Sequence, residues 1–216
     1  MSVKAVIWDF GGVFTTSPFD RFTEFEASRG LPKDFIRGIN ATNPDTNAWA
    51  RFERSEISID EFDGAFAAES SAKGHEVRGK DIVALLGGTV RPEMVEALDR
   101  ILAAGFRCAV ITNNVRAGHG PGISADSKTA DEVAKVMARM ELVVESSKLK
   151  LRKPDPKIYQ HACDELGIAP SDAVYLDDLG INLKPAKALG MQTIKVVSAD
   201  QALTDLEKIL GLQLRG

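Results

Sequence analysis

From residue 92 onward, short apolar runs alternate with amphipathic helical patterns, and this alternation constrains the fold more than any other feature of the chain. The whole chain has five such runs, one of them near the N-terminus. They are nearly continuous in apolar character, as strands buried on both faces are. They cover residues 3–10, 107–112, 142–145, 173–176 and 193–197. Helical patterns lie between and after them, at 92–104, 130–140, 156–166, 183–189 and 201–210. The alternation predicts an α/β fold, a three-layer α/β/α sandwich on a Rossmann-like parallel sheet.

One interval interrupts the alternation, because residues 17–89 contain no convincing strand. Helical patterns fill it instead, at 19–28, 33–39, 48–56, 59–69 and 82–86. We therefore predict a core domain of residues 1–15 and 91–216, with an inserted all-helical cap domain of residues 16–90. The glycine- and serine-rich stretch 117–129 predicts a long loop after the second strand.

Charge, the length of the first apolar run and the cysteine content indicate which partners and which cellular compartment to expect. The net charge of −4 argues against a nucleic-acid partner, which favours basic surfaces. The first apolar run is too short for a signal peptide or a membrane span, so we expect no membrane partner and a cytoplasmic location. The two cysteines, Cys108 and Cys163, lie in apolar-periodic segments and are interpreted as buried free thiols of a reducing compartment. The sequence leaves a monomer or a homodimer open.

Polar residues follow four of the five predicted strands at their carboxyl ends, where open parallel sheets bind ligands. After the first strand comes Asp9, then Gly11 and Gly12, whose small size lets the backbone turn and present N–H groups to an anion. After the second come Thr112, Asn113 and Asn114, which can donate hydrogen bonds to phosphate oxygens or simply form an Asx-type turn.

The third and fourth strands supply opposite charges. Lys153, fixed beside Pro154, can neutralise a phosphate and hold a carboxylate, whereas Lys150 and Arg152 are interpreted as solvated loop charges. Asp177 and Asp178 are adjacent acids at a buried strand end, and they repel each other unless a cation is present. A hard divalent cation such as Mg²⁺ resolves that conflict. Together the four ends predict a cation and a phosphate held beside one nucleophile.

The motifs "WDFGGV", "ITNN", "KPDPKIY" and "YLDDLGINLKPAKALGM" occur in that order, and "WARFERSEISIDEF" lies in the helical interval. With these motifs the chain resembles the haloacid dehalogenase (HAD) superfamily, and most closely its phosphatase-like subfamily with a helical C1-type cap. The resemblance implies a Mg²⁺-dependent hydrolase acting on a small-molecule phosphate ester.

The resemblance also implies a role for each matching residue. Asp9 is expected to be the nucleophile that forms an aspartyl-phosphate, and Lys153 to pair with Asp9 and the phosphate. Thr112 and the Asn113 amide are expected to bind the transferring phosphoryl group. Magnesium is expected on Asp9, Asp178 and the Gly11 carbonyl, with Asp177 as a ligand or an outer-shell group. Asn182 is expected to orient the acid pair.

One position departs from the family pattern, because Gly11 stands where these phosphatases usually carry a second aspartate. That aspartate protonates the leaving oxygen, and general acid–base help of this kind is worth about 10²–10⁴-fold. Weak turnover is therefore expected, best on acyl, aryl or sugar-anomeric phosphates. The candidate substitutes for the missing proton donor are each better interpreted as structural residues: Thr15, Thr16, His75 and His119.

Two alternatives remain open. The first is a catalytically silent relative that binds a phosphate or metabolite, which the missing acid motivates. The second is a haloacid dehalogenase-type C–X hydrolase, whose members usually carry a tyrosine at the Gly11 position and need no metal. Four cap aromatics could line a substrate, but at helical spacing they are interpreted as core: Phe19, Trp49, Phe52 and Phe62.

Overall fold

The computed structural model describes residues 3–114 and 127–216 and contains a five-stranded parallel sheet. The strands are β1 (Ala5–Trp8), β2 (Arg107–Thr112), β3 (Leu142–Glu145), β4 (Ala173–Asp177) and β5 (Gln192–Lys195). Their order is β3-β2-β1-β4-β5, with β1 paired in parallel to both β2 and β4. The α/β prediction is confirmed, although β1 is four residues long rather than the predicted eight.

The sheet is covered by helices on both faces. The covering helices are α6 (Pro92–Ala103), α7 (Ser127–Met137), α9 (Pro156–Leu166), α10 (Gly180–Ala188) and α11 (Ala199–Leu210). Side chains of β1 alternate between the two faces. Val6 and Trp8 join the apolar cluster beneath α6, α7 and α11, while Ala5 and Ile7 join the one beneath α9 and α10. This double burial explains why the strands are apolar almost throughout.

Five helices form the insertion between β1 and β2. They are α1 (Pro18–Ser28), α2 (Phe35–Ala41), α3 (Ala48–Glu53), α4 (Ile59–Ser71) and α5 (Gly79–Val83). A core of its own holds the insertion together, in which the Phe52 and Phe62 rings stack at a centroid distance of 4.5 Å. Phe19 and Trp49 pack against that core, so all four cap aromatics occupy the structural positions that their spacing indicates.

The chain enters and leaves the insertion along two adjacent antiparallel segments. Thr15 forms an isolated bridge with Val90, and Thr16 N–H donates to the Thr89 carbonyl at 2.9 Å. A Cβ on Gly88 would lie 2.5 Å from the Thr16 carbonyl oxygen, so only glycine permits the two segments to approach this closely. The two ends of the insertion are thus held side by side where they join the sheet domain.

Several helix boundaries differ from the predictions. Helix α7 begins at Ser127, so residues 127–129 are helical rather than loop, and 117–126 fall outside the described residues. Helix α10 begins at Gly180 rather than 183, because the Asp177 carboxylate accepts the Leu179 N–H and turns the chain directly after β4. The short helix α8 (Ser146–Leu149) was not predicted. Among the described residues, none of the helices has the length and apolar content to cross a bilayer.

Candidate active site

Asp9 lies at the carboxyl end of the central strand, where its carboxylate is almost fully buried. Its backbone N–H donates to the Leu176 carbonyl at 2.7 Å, which continues the pairing with β4. Its Oδ1 accepts the Phe10 N–H at 2.6 Å and lies 2.7 Å from Lys153 Nζ. Burial raises the pKa of Asp9, and the Asp177 and Asp178 charges add to this effect against the opposing charge of Lys153.

Lys153 lies on the segment between α8 and α9 and is only 2% exposed. Its Nζ bridges two carboxylates, at 2.7 Å from Asp9 Oδ1 and 2.9 Å from Asp177 Oδ2. Burial opposes the ammonium charge, but the Asp177 and Asp9 carboxylates outweigh it and raise the pKa of Lys153. The lysine therefore remains a cation in the centre of the site.

Asp177 is fully buried at the end of β4 and is surrounded by donors. Besides Lys153, its oxygens accept the Leu179 N–H at 2.7 Å and the Asn182 side-chain amide at 3.0 and 3.1 Å. The Tyr175 hydroxyl donates to the same carboxylate. With so many donors, Asp177 is fixed as an anchor for Lys153, and Asn182 holds it in that orientation.

Asp178 occupies a more open position and faces the chain that leads into the insertion. Its Oδ2 accepts a hydrogen bond of 3.2 Å from the Ser17 hydroxyl, which is also the N-cap of α1. Burial, followed by the charge of Asp177, raises the pKa of Asp178 to about 6. Its side chain has fewer protein donors than that of Asp177 and is better suited to bind a cation.

Three carboxylates converge at this edge of the sheet: one oxygen each from Asp9, Asp177 and Asp178 lies within 4.8 Å of the others. A set of carboxylate oxygens suits a hard divalent cation, and Mg²⁺ is bound by proteins through one or two carboxylates together with substrate phosphate. The donors present therefore fit magnesium, as the sequence indicates.

The two glycines after Asp9 have different surroundings. A Cβ on Gly12 would lie 2.2 Å from Asp178 Oδ2, and its φ of +76° is one that other residues rarely adopt. Gly12 is thus required for Asp178 to approach β1. A Cβ on Gly11 would meet no atom within 4 Å, so no contact at the Cβ position requires glycine there.

The residues after β2 occupy positions close to Lys153. Thr112 is buried at the strand end, in register with Glu145. Asn113 holds the Lys153 backbone on both sides, accepting its N–H at 2.8 Å and donating to its carbonyl at 3.0 Å. Asn114 binds Glu145 and Ser147 through its side chain. Both asparagine side chains thus have protein partners, and their predicted binding of phosphate stays a prediction.

The prediction that Arg152 is a solvated loop charge is wrong. Its side chain is 17% exposed, and its Nε lies 2.6 Å from Oε2 of Glu53, which belongs to α3 of the insertion. Sequence reasoning missed Glu53 as well. Trp49, Phe52 and Glu53 share one face of α3 by their i, i+3, i+4 spacing, so an acid on an apolar face was the available signal. Lys150 is exposed, as predicted.

The candidate substitute proton donors have structural partners. Thr16 Oγ1 accepts the Thr89 N–H at 3.1 Å in the paired segments, where Thr15 is also buried. The exposed His75 ring packs edge-on against Phe35 of the insertion, with ring centroids 5.4 Å apart. His119 lies outside the described residues. Cys108 and Cys163 are buried free thiols, as predicted.

The sheet, the inserted helices and the acid–lysine cluster together define a Rossmann-like α/β protein with an enzyme-like site at the carboxyl edge of its strands. The model of the haloacid dehalogenase-like hydrolase family matches residues 3–190. The chain belongs to this family, as its four motifs indicate.

Curated relatives carry several activities in their names. Acyl-CoA dehydrogenase family member 10 of Mus musculus is 36% identical over 99% of the chain, which spans 20% of that protein. Bifunctional epoxide hydrolase 2 of Sus scrofa is 30% identical over 99% of the chain, which spans 40% of it. A protein of Mycobacterium tuberculosis named as a phosphatase is 28% identical, with 93% of the chain and 90% of the relative covered.

Solved structures under 20% identical share the fold. A predicted HAD-like hydrolase from Porphyromonas gingivalis is 18% identical with a TM-score of 0.67, covering 99% of this chain and all of the other. A HAD family enzyme from Bacteroides thetaiotaomicron in complex with magnesium and inorganic phosphate is 18% identical with a TM-score of 0.59, covering 95% and 99%. A dehalogenase with an intermediate complex is 19% identical with a TM-score of 0.65, covering 98% of each.

Proposed function

We propose that the chain is a Mg²⁺-dependent phosphatase that hydrolyses small phosphate esters with acidic leaving groups through an aspartyl-phosphate at Asp9. The observation that carries this proposal is the position of the Asp9 carboxylate, 2.7 Å from Lys153 and grouped with Asp177 and Asp178. A nucleophilic carboxylate beside Lys153 and two further acids suits attack on a phosphate dianion when a divalent cation neutralises those acids.

The first step forms one bond and breaks another. An oxygen of Asp9 attacks phosphorus, and the bond to the leaving oxygen breaks with its electron pair on that oxygen. Lys153 offsets the negative charge, and the Thr112 hydroxyl holds a phosphoryl oxygen. Water then attacks the phosphorus of the aspartyl-phosphate, which releases inorganic phosphate and restores Asp9.

Asp9, Asp178 and the Gly11 carbonyl are the proposed magnesium ligands, and Asp177 anchors Lys153 behind them. Magnesium bound there supplies charge neutralisation for the incoming dianion. Because Gly11 provides no carboxyl group, the chain lacks the usual donor of a proton to the leaving oxygen. Leaving groups that are stable as anions need this proton least, which favours acyl, aryl and sugar-anomeric phosphates.

The metal-binding character of the site favours a phosphatase over a dehalogenase. The dehalogenase subfamily is expected to work without metal, whereas three carboxylates within 4.8 Å of one another favour a cation. Names among the relatives and neighbours include both activities, so the choice rests on the site itself. Hydrolysis that survives a chelator would support the dehalogenase alternative.

The decisive experiment is a substrate panel in the presence of Mg²⁺, with acyl, aryl, sugar-1- and alkyl phosphates. We expect the first three classes to be cleaved at least about 10²-fold faster than alkyl phosphates, because they need no general acid. Asp9→Asn should abolish turnover, while Asp20→Asn, which changes an exposed acid on α1, should leave it unchanged. Turnover retained by Asp9→Asn would remove Asp9 from the mechanism.

The absent carboxyl group at Gly11 also supports a second candidate, a protein that binds phosphate or a metabolite without turnover. Calorimetry separates the two functions. Binding of a phosphate ester that depends on Mg²⁺, with no phosphate released across the whole panel, would favour the silent relative.

A further inference from the structure

A buried ion pair joins the helical insertion to the sheet domain at the edge of the candidate active site. Glu53 ends α3, and its Oε2 lies 2.6 Å from Arg152 Nε. Two further contacts cross the same boundary: Arg152 Nη1 donates to the Pro44 carbonyl at 2.8 Å, and the Ser146 hydroxyl donates to the Glu53 carbonyl at 2.9 Å. The insertion and the sheet domain are therefore joined by specific polar contacts at this point.

Because the two charges are largely shielded from water, loss of either partner is expected to be destabilising. The side chains of Glu53 and Arg152 are 8% and 17% exposed, so neither charge is well solvated without the other. Removing one partner of a buried pair leaves an uncompensated charge, whereas removing both charges does not. By contrast, the neighbouring pair of Arg54 and Glu56 is more open to solvent, with Glu56 43% exposed. Exposed pairs of that kind contribute little.

The pair of Glu53 and Arg152 is connected to Lys153, the candidate catalytic lysine, through the chain and through Asn113. Arg152 precedes Lys153 in the chain, and Asn113 holds the N–H and the carbonyl of Lys153. The Asn113 amide also lies 3.4 Å from Glu53 Oε2. A carboxylate of the insertion, Asn113 and the Lys153 backbone thus form one connected network. The Nζ of that lysine reaches Asp9 and Asp177.

We propose that Glu53 and Arg152 are positioning residues, which couple docking of the helical insertion on the sheet domain to the placement of Lys153 beside Asp9. This inference rests on the proposed phosphatase function for its catalytic consequence. With the insertion docked, Glu53 orients Arg152 and Asn113, and together they hold the Lys153 backbone. With the pair broken, the contact between the insertion and the sheet domain weakens at this edge, and the Lys153 backbone loses part of its support.

Glu53 is assigned positioning rather than proton transfer for a geometric reason. Its Oε2 already accepts a hydrogen bond from Arg152, and a carboxylate held by a guanidinium is a poor proton donor. Burial raises the pKa of Glu53 above its ordinary value, and the charge and hydrogen bond of Arg152, followed by a hydrogen bond from Trp49, offset this shift only in part. The assignment therefore rests on the contact with Arg152 and on the pH profile measured below.

The test is a double-mutant cycle of Glu53→Gln and Arg152→Gln, with Glu56→Gln as the matched control in the same segment. Each variant is assayed on an aryl phosphate with saturating Mg²⁺ across pH, and amide hydrogen exchange is followed over residues 48–53 and 146–153. We expect each single variant to lose about tenfold in kcat, and the double variant to be no worse than the poorer single variant. The shape of the pH profile and the Mg²⁺ affinity should not change, and exchange should accelerate in both segments.

Three outcomes would overturn the proposal. They are kcat and exchange rates in Glu53→Gln equal to those of wild type, additive losses in the double variant, and the loss of one limb of the pH profile in Glu53→Gln. The last would make Glu53 a catalytic acid. Absence of turnover in the wild type would instead overturn the phosphatase assignment, and the exchange measurement would still decide whether the pair holds the insertion to the sheet domain.

Discussion

Two adjacent glycines show how differently single positions are constrained at this site. Gly12 has a positive φ and lies against the Asp178 carboxylate, so geometry alone demands glycine. Gly11 has neither constraint, and open space surrounds its Cα where a side chain would begin. Contacts at the Cβ position therefore do not account for the absence of a side chain at Gly11. Substitution at Gly11 therefore tests the proposed chemistry at a position where an added Cβ meets no other atom within 4 Å.

Gly11→Asp should create the absent general acid. We expect alkyl phosphate turnover to rise by about 10²-fold, the lower end of what a placed acid contributes, while aryl phosphate turnover changes little. Steady-state kinetics on matched alkyl and aryl phosphates measures both. Gly11→Asn is the control, because it has the same shape without an ionisable proton. Equal gains from aspartate and asparagine would show that the side chain acts by binding rather than by proton transfer.

At the scale of single elements, side-chain hydrogen bonds define helix ends more sharply than propensity does. The Ser58 hydroxyl and the Glu61 carboxylate form a reciprocal capping box at the start of α4. Helix α10 begins earlier than its apolar pattern indicates because Asp177 accepts the Leu179 N–H. The hydrogen bond from Leu179 N–H depends on the orientation of the fully buried Asp177 carboxylate, which the local sequence does not report.

Helix α11 also fixes the C-terminal segment that follows it. Glu207 accepts the Leu214 N–H at 2.8 Å and pairs with Arg215 at 2.6 Å, which seats the buried Leu214 against the core. The hydrogen bond from Arg215, followed by that from Leu214, lowers the pKa of Glu207 from 4.5 to about 2. A carboxylate with a lowered folded-state pKa stabilises the fold above its unfolded pKa, and this contribution is lost as pH falls.

Glu207→Gln should therefore lower the melting temperature at neutral pH, and the difference from wild type should narrow as the pH falls from about 4.5 towards 2. Thermal melts between pH 7 and pH 3 measure this trend. Glu165→Gln, at an exposed position of α9, is the control and should follow wild type at every pH. A difference that stays constant over the whole range would show that Glu207 acts without its charge.

The whole molecule brings four chain segments, widely separated in sequence, to one edge of the sheet. The parallel order β3-β2-β1-β4-β5 places the ends of β1 and β4 side by side, so Asp9 and the pair of Asp177 and Asp178 converge. Lys153 pairs with two of these three acids, Asp9 and Asp177, and leaves Asp178 without an ion-pair partner among the described residues. Their mutual repulsion opposes folding, and a bound divalent cation should relieve it.

Magnesium is therefore expected to stabilise the entire fold. At a concentration 100 times its Kd, a ligand specific for the folded state adds about 2.7 kcal/mol, or roughly 5–10 °C in melting temperature for a chain of this size. Differential scanning fluorimetry with Mg²⁺, and then with excess chelator, should show this rise and its reversal. Asp178→Asn should abolish the shift and Asp20→Asn should retain it. Equal shifts in both variants would place the cation elsewhere.

Much of the architecture was predictable because local patterns encode it. Apolar runs buried on both faces gave the five strands, and the strand-free interval gave the helical insertion, since each pattern depends only on neighbouring residues. Ordered motifs also identified the acids and the lysine of the site. The boundaries of the two proposed domains, 1–15 with 91–216 and 16–90, remain a prediction.

By itself, then, the sequence determined which side chains arrive at the carboxyl ends of the strands, because strand ends and turn residues are local properties. Only the tertiary structure decided which hydrogen-bond and ion-pair partner each of those side chains has. It placed Asp177 among donors and Asp178 at the open side, and it engaged the Asn113 and Asn114 amides with protein groups. It also paired Arg152 with Glu53 across the two parts of the chain. Glu53 and Arg152 are 99 positions apart in the chain, so no local sequence pattern reports their contact. The contact matters because a charge removed from water is destabilising unless an opposite charge pairs with it.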